Sequence, residues 1–143
     1  MTRRARLPAA ELQAASFDRM RTDHRTEVAE DYVELIADLI DAKGEARAVD
    51  LADRLGVSPA TVNTQVAKLA RAGLVETAPY RAIFLTDAGR ALADFAKARH
   101  RTVVDFLMAI GVDEATAQQD AEGIEHHVSD ATLEAMARFL ERR

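Results

Sequence analysis

Between residues 24 and 43, apolar side chains recur at Val28, Tyr32, Leu35, Ile36, Leu39 and Ile40. Steps of three and four put them on one stripe of a helix, and Gly44 stands where such a helix would end. Residues 48–55 repeat the pattern in miniature, with Val49, Leu51, Ala52 and Leu55 expected inward, and Gly56-Val57 supplies a tight turn. Ser58 and Pro59 open the next helix, Ser as the cap and Pro at the first helical position, where its missing N–H costs nothing. The buried stripe of that helix is Val62, Val66 and Leu69. Two short β-prone runs, 74–77 and 83–86, flank a turn holding Tyr80 and Arg81 and read as a hairpin. Thr86 starts a long helix to about Ile110, with Ala91, Leu92, Phe95, Val103, Phe106 and Leu107 apolar. Gly111 closes it, Asp113 caps the next helix, and Ser129 caps a last one with Leu133, Met136, Phe139 and Leu140 inward. Residues 1–22 carry scattered Arg and one Pro without sustained periodicity, which predicts a mobile basic arm or a weak first helix.

The polar positions of the third pattern have their own order. Opposite Val62, Val66 and Leu69 lie Thr61, Asn63, Thr64, Gln65, Lys68 and Arg71. Short polar groups of this kind reach base edges, and the longer cations reach phosphates. Two helices joined at Gly56-Val57-Ser58-Pro59 and followed by a hairpin make a winged helix-turn-helix, with Tyr80 and Arg81 at the wing tip. The fold class is therefore mainly α, and double-stranded DNA is the expected partner. An alternative is a winged-helix regulator controlled by a small organic ligand.

Charge sharpens this division. The chain of 143 residues has a net charge of −5, but residues 26–42 alone contribute −6, residues 43–101 contribute +4 and residues 102–143 contribute −6. A basic middle between acidic flanks suits one part that meets a polyanion and another that holds cations. Cysteine is absent, which excludes disulfides and thiolate metal sites and leaves only oxygen and nitrogen donors. No apolar run approaches the about 20 residues needed to cross a bilayer, so the expected compartment is the cytoplasm, without a membrane partner.

The densest chemistry is Glu122-Gly-Ile-Glu125-His126-His127. On a helix Glu122, Glu125 and His126 share a face, and crowded carboxylates need either open water or a cation. Manganese or ferrous iron suits such oxygen-rich donors with one imidazole, and zinc is a further option. In the first helix Asp31 and Glu34 lie three apart and are either a solvent face or a second half-shell. His100 sits on the long helix between Arg99 and Arg101, cations expected to lower its pKa and favour the neutral, metal-binding form. His127 points off the cluster's face and is expected to be structural. A small di-metal carboxylate hydrolase is the rival from another class, and it explains none of residues 48–86.

Taken in order, Glu30-Asp-Tyr-Val-Glu-Leu-Ile36, Leu55-Gly-Val-Ser-Pro-Ala-Thr-Val62, Tyr80-Arg81, Leu85-Thr-x-x-Gly89, Arg99-His100 and Ile110 through Ser129 resemble the diphtheria toxin repressor family, and closely its manganese-responsive branch. The resemblance implies a winged helix-turn-helix DNA-binding domain over 23–95 and an all-helical dimerisation and metal-binding domain over 96–143. It also implies a homodimer on palindromic operator DNA, no small organic substrate and no catalysis. Its metal-binding positions fall on Asp31, Glu34, His100, Glu122, Glu125 and His126. The iron-responsive branch places a methionine and a cysteine where this chain has Asp31 and Glu122, so manganese is expected, two ions per subunit, with iron or zinc as alternatives. Val104 stands where relatives carry a carboxylate one turn after the histidine, with Asp105 beside it.

Overall fold

A computed structural model describes residues 6–78 and 81–143. Tyr80, expected at the wing tip, lies outside these residues. Eight elements follow in the order α1 Ala10–Lys43, α2 Ala48–Leu55, α3 Pro59–Arg71, β1 Val75–Glu76, β2 Phe84–Leu85, α4 Asp87–Ala109, α5 Glu114–Ile124 and α6 Asp130–Glu141. β1 and β2 pair antiparallel, Val75 against Leu85 and Glu76 against Phe84, and an isolated bridge joins Ala46 to Ile83.

The caps explain where most elements begin. The hydroxyl oxygens of Ser58, Thr86 and Ser129 and a carboxylate oxygen of Asp113 each accept the backbone N–H three residues on, from Thr61, Gly89, Thr132 and Thr116. Gly44 ends α1 at φ 83°, in the left-handed region that favours glycine. Gly89 is required for a different reason: a Cβ there would meet the Leu74 carbonyl oxygen at 2.0 Å, so α4 packs this closely on the wing only with no side chain.

Two expectations need correction. Residues 10–22, expected as a mobile arm or a weak helix apart from the one starting near residue 24, are the opening turns of α1. Neither Gly nor Pro interrupts the chain from Ala9 to Lys43, and Arg19–Asp23 and Arg21–Asp18 pair at helical spacing. Their apolar residues nevertheless stay uncovered, Leu12, Phe17 and Met20 all more than half exposed. Val49, expected inward, is 60% exposed, because α2 is only eight residues long and buries just Leu51 and Ala52.

One core joins Tyr32, Ile36 and Leu39 of α1 to Leu51, Ala52, Val62, Val66, Leu69, Val75 and Ile83. A second is small, made of Val103 and Val104 from α4 against Ala117 and Ala121 from α5, with Leu133 and Met136 of α6 half-buried beside them. Between the two, α1 crosses α4 on Val33, Ala37 and Ala93, small side chains that bring the backbones close. Lys97–Asp38 at 2.5 Å and Arg90–Asp41 at 3.3 Å pair the same helices at their rims. Helix α1 thus belongs to both halves, and α4 runs unbroken from the wing into the C-terminal half. Among the described residues no helix is long and apolar enough to cross a membrane.

Candidate metal centre

The crossing of α1 and α4 presents the acidic face of α1 to the C-terminal end of α5. Helix α5 ends at Ile124, so Glu125 is its cap and His126 lies in the turn beyond. The single face expected for Glu122, Glu125 and His126 is therefore split. Glu122 and Glu125 turn towards His100 of α4, whereas His126 turns towards α1. Two groups result among the described residues, His100 with Glu122 and Glu125, and Glu27 with Asp31 and His126, the possible ligand atoms within each lying within 4.8 Å of one another.

Glu125 connects them. Its Oε2 lies 2.5 Å from His100 Nδ1 and its Oε1 lies 3.4 Å from His126 Nε2, while its side chain is 2% exposed. Glu122 is the solvent-facing member, 3.7 Å from His100 Nδ1. His126 Nε2 also lies 3.4 Å from Asp31 Oδ1, yet it is buried and has no hydrogen-bond partner among the described residues. Glu34 Oε1 is buried and unpartnered too. Buried polar atoms are nearly always satisfied, so two orphans converging on a carboxylate cluster mark a place shaped for a cation. All donors are carboxylate oxygens or imidazole nitrogens, which fits a divalent ion of intermediate hardness.

Beneath this cluster sits an ion pair that sequence reading missed. Glu30 and Arg99 are both buried, and the Arg99 guanidinium donates to Glu30 Oε2. The same guanidinium lies 3.3 Å from His126 Nδ1 and 5.5 Å over the Phe95 ring, and Glu30 Oε2 lies 3.5 Å from His126 Nδ1. The pair holds the imidazole with Nε2 facing the carboxylates. Arg99 therefore does not act on His100 as expected. Burial alone would lower the pKa of His100, but its contacts with Gln118 and Glu125 and the charges of Glu125 and Glu122 outweigh it and raise the value.

The other protonation states follow the same logic. Burial would lower the pKa of His126 too, but the nearby carboxylates of Asp31 and Glu30 and the charge of Glu125 push it up to about 10. Burial, then the charges of Glu125, Asp31 and Glu122, push Glu34 up to about 7. Burial also raises Glu125. Glu30 goes the other way, because His126 and Arg99 outweigh its burial. Burial thus favours the protonated form at Glu34 and Glu125, whereas Glu30 keeps the charged form only because cationic partners face it.

A groove of about 580 Å³ opens beside the His100 group, lined by Glu34, Asp38, Lys97, His100, Arg101, Val104, Asp105 and Gln118 among others. Val104 is 5% exposed and belongs to the small core while touching the groove, and the exposed Asp105 lines the groove beside it. His127 stays on the surface, 3.7 Å from Asp23 and 3.8 Å from Glu27. Glu27 had no mark in the sequence beyond standing four residues before Asp31.

On the opposite half, α3 turns Thr61, Asn63, Thr64, Lys68 and Arg71 outward with Ser58 and Pro59 at its start, and Gln65 is half-buried. Two hydroxyls are engaged locally: Thr61 Oγ1 lies 3.0 Å from Ser58 Oγ, and Thr64 Oγ1 donates to the Ala60 carbonyl. Arg81 is exposed and, with Arg47, Val49, Asn63 and Thr77, lines a groove of about 710 Å³ between α2, α3 and the wing.

Residues 24–83 match the family model described as iron dependent repressor, N-terminal DNA binding domain, and residues 86–143 match its metal binding and dimerisation domain. The chain is 46% identical to the transcriptional regulator MntR of Escherichia coli O157:H7, over 99% of this chain and 97% of that protein. To the transcriptional regulator MntR of Salmonella typhimurium it is 48% identical, over 88% of this chain and 80% of that one. Among solved structures, a manganese-dependent transcriptional repressor in complex with manganese superposes with a TM-score of 0.71 at 33% identity, over 79% of this chain and 52% of the other. The manganese regulator SloR superposes at 0.69 with 29% identity, over 80% and 54%. The chain thus spans about half the length of these two solved proteins.

Proposed function

We infer the function from one premise: the chain belongs to the iron-dependent repressor family. It is a manganese-responsive DNA-binding transcriptional repressor rather than an enzyme, and its partners are operator DNA and a second copy of itself. A partner in genomic DNA supports a cytoplasmic location. The observation that carries the metal reading is His126, buried with an unpartnered Nε2 between Asp31 and Glu125. Its ligands are Asp31, Glu34, His100, Glu122, Glu125 and His126. A bound divalent cation would supply the positive charge that offsets the mutual repulsion of these carboxylates. Glu125 faces both histidines, which supports two ions per subunit, with Glu125 shared.

The residues themselves explain the coupling. Asp31 and Glu34 sit on α1, whose other faces carry Tyr32, Ile36 and Leu39 into the winged-helix core. Glu122, Glu125 and His126 sit on the C-terminal unit that matches the dimerisation domain. Drawing the two sets together fixes the angle between the DNA-reading half and the dimer half. Two recognition helices then stand at the separation an operator requires, about one DNA turn or a multiple of it. Glu30 and Arg99 hold the His126 ring for this role, as outer partners of a metal-binding imidazole do. Ser58, Pro59, Thr61, Asn63, Thr64, Gln65, Lys68, Arg71, Tyr80 and Arg81 form the surface that meets DNA. Gel shifts of operator DNA test this: manganese should tighten binding about 5–150-fold. Equal affinity with and without the ion would overturn it.

A further inference from the structure

We propose that Glu27 is a further metal ligand, completing the Asp31–His126 side of the centre. The inference rests on the metal reading above and extends the ligand set one helical turn towards the start of α1. Glu27 precedes Asp31 by four residues, so the two carboxylates stack on one face of the helix. Its ligand atom lies within 4.8 Å of those of Asp31 and His126. The side chain is 25% exposed, neither a solvated surface group nor locked in the interior. Its other neighbours do not claim it, since His24 Nδ1 at 3.5 Å and His127 Nε2 at 3.8 Å lie beyond good hydrogen-bond length. The independent sign of a ligand is His126, whose side chain is 1% exposed and whose unpartnered Nε2 points into this group. His126, Asp31 and the shared Glu125 supply one nitrogen and two carboxylates, a small set for an ion of manganese's coordination habit, and Glu27 adds the oxygen donor that the geometry already brings near. It also extends the metal-fastened part of α1 beyond Asp31, towards the opening turns.

The test is a manganese titration of the 143-residue chain, free ion being read by electron paramagnetic resonance, for wild type, Glu27→Gln and Glu122→Gln. Glu27→Gln keeps size and polarity and removes the charge. It should weaken one class of bound manganese at least about tenfold and leave a second class intact, whereas Glu122→Gln should weaken the other. A Glu27→Gln curve that superimposes on wild type overturns the role of Glu27 while the centre itself stands. A wild-type chain that binds no manganese overturns both. An anomalous-scattering map of manganese-soaked wild-type crystals gives the direct reading: an ion bonded to the Glu27 carboxylate supports the assignment, and ions bonded only to other residues overturn it.

Discussion

The two halves of the molecule are stabilised unequally. The winged-helix half buries eleven residues in one cluster, whereas the C-terminal half buries four, two of them alanines, among the described residues. Helix α6 buries none, and its Phe139 meets Phe106 edge to face at 5.5 Å while remaining 44% exposed. Ile110, Met108 and Ile124 are uncovered as well. The first half has a core made of its own side chains. The second is a half-finished core, which suits a unit completed by another copy and by a cation. A switch needs this asymmetry, because a part already fully stabilised has little left for a ligand to add.

The harshest way to break the contrast is to attack the pair that joins the halves. Glu30→Ala leaves Arg99 charged and buried without its carboxylate, so unfolding free energy should drop by about 3–5 kcal/mol in denaturant titration. A neutral result would mean that the ion pair does not fasten α1 to α4. Next, Leu51→Ala in the large core should cost about 2–5 kcal/mol, and half-buried Leu133→Ala in the small one distinctly less. Equal losses would erase the difference between the halves.

Metal and pH probe the weaker half. Manganese at about 100 times its Kd should stabilise the protein by about 2.7 kcal/mol, seen as a rise in melting temperature. Without metal, Glu34 keeps a proton in the fold up to about pH 7 that the unfolded chain sheds near 4.5. His126 keeps one up to about pH 10 against 6.5 unfolded. Both folded values are raised, so both contributions are lost as pH rises, first between 4.5 and 7 and then between 6.5 and 10. The metal-free protein should therefore melt lower at pH 8.5 than at pH 5.5, about the two sides of this window. Metal binding at neutral pH should release protons into weakly buffered solution. A melting temperature that rises with pH contradicts the assignment. The smallest effect expected is at the α6 cap: Ser129→Ala should cost about 1 kcal/mol, and a loss several times larger would mean that α6 contributes more than its exposure suggests.

The sequence was most legible where one residue acts through its own backbone or nearest turn. Gly44, Ser58, Thr86, Asp113 and Ser129 all stand where the helices start or stop, and Val62, Val66 and Leu69 are buried as their spacing requires. The opening turns of α1 could not be joined to the rest of the helix because their apolar residues face no core, so helix formation there left no amphipathic stripe pointing inward. In the centre, residue types at helical spacing were enough to select Asp31, Glu34, His100, Glu122, Glu125 and His126 as candidates, with a known family's pattern to align them.

What spacing could not supply was the partition of these residues. Whether Glu125 faces one histidine or two depends on α5 ending at Ile124 and on the angle at which α1 crosses α4. Long-range packing of Val33, Ala37 and Ala93 sets that angle. The same crossing brings Glu30 to Arg99 and Glu27 to His126, partners 69 and 99 positions apart in the chain. Local periodicity is a property of one helix, whereas a shared cation site belongs to the space between helices. The chain's order of residues determined its helices, the polar face of α3 and its stock of candidate ligands, and only the tertiary fold decided which of those candidates stand together.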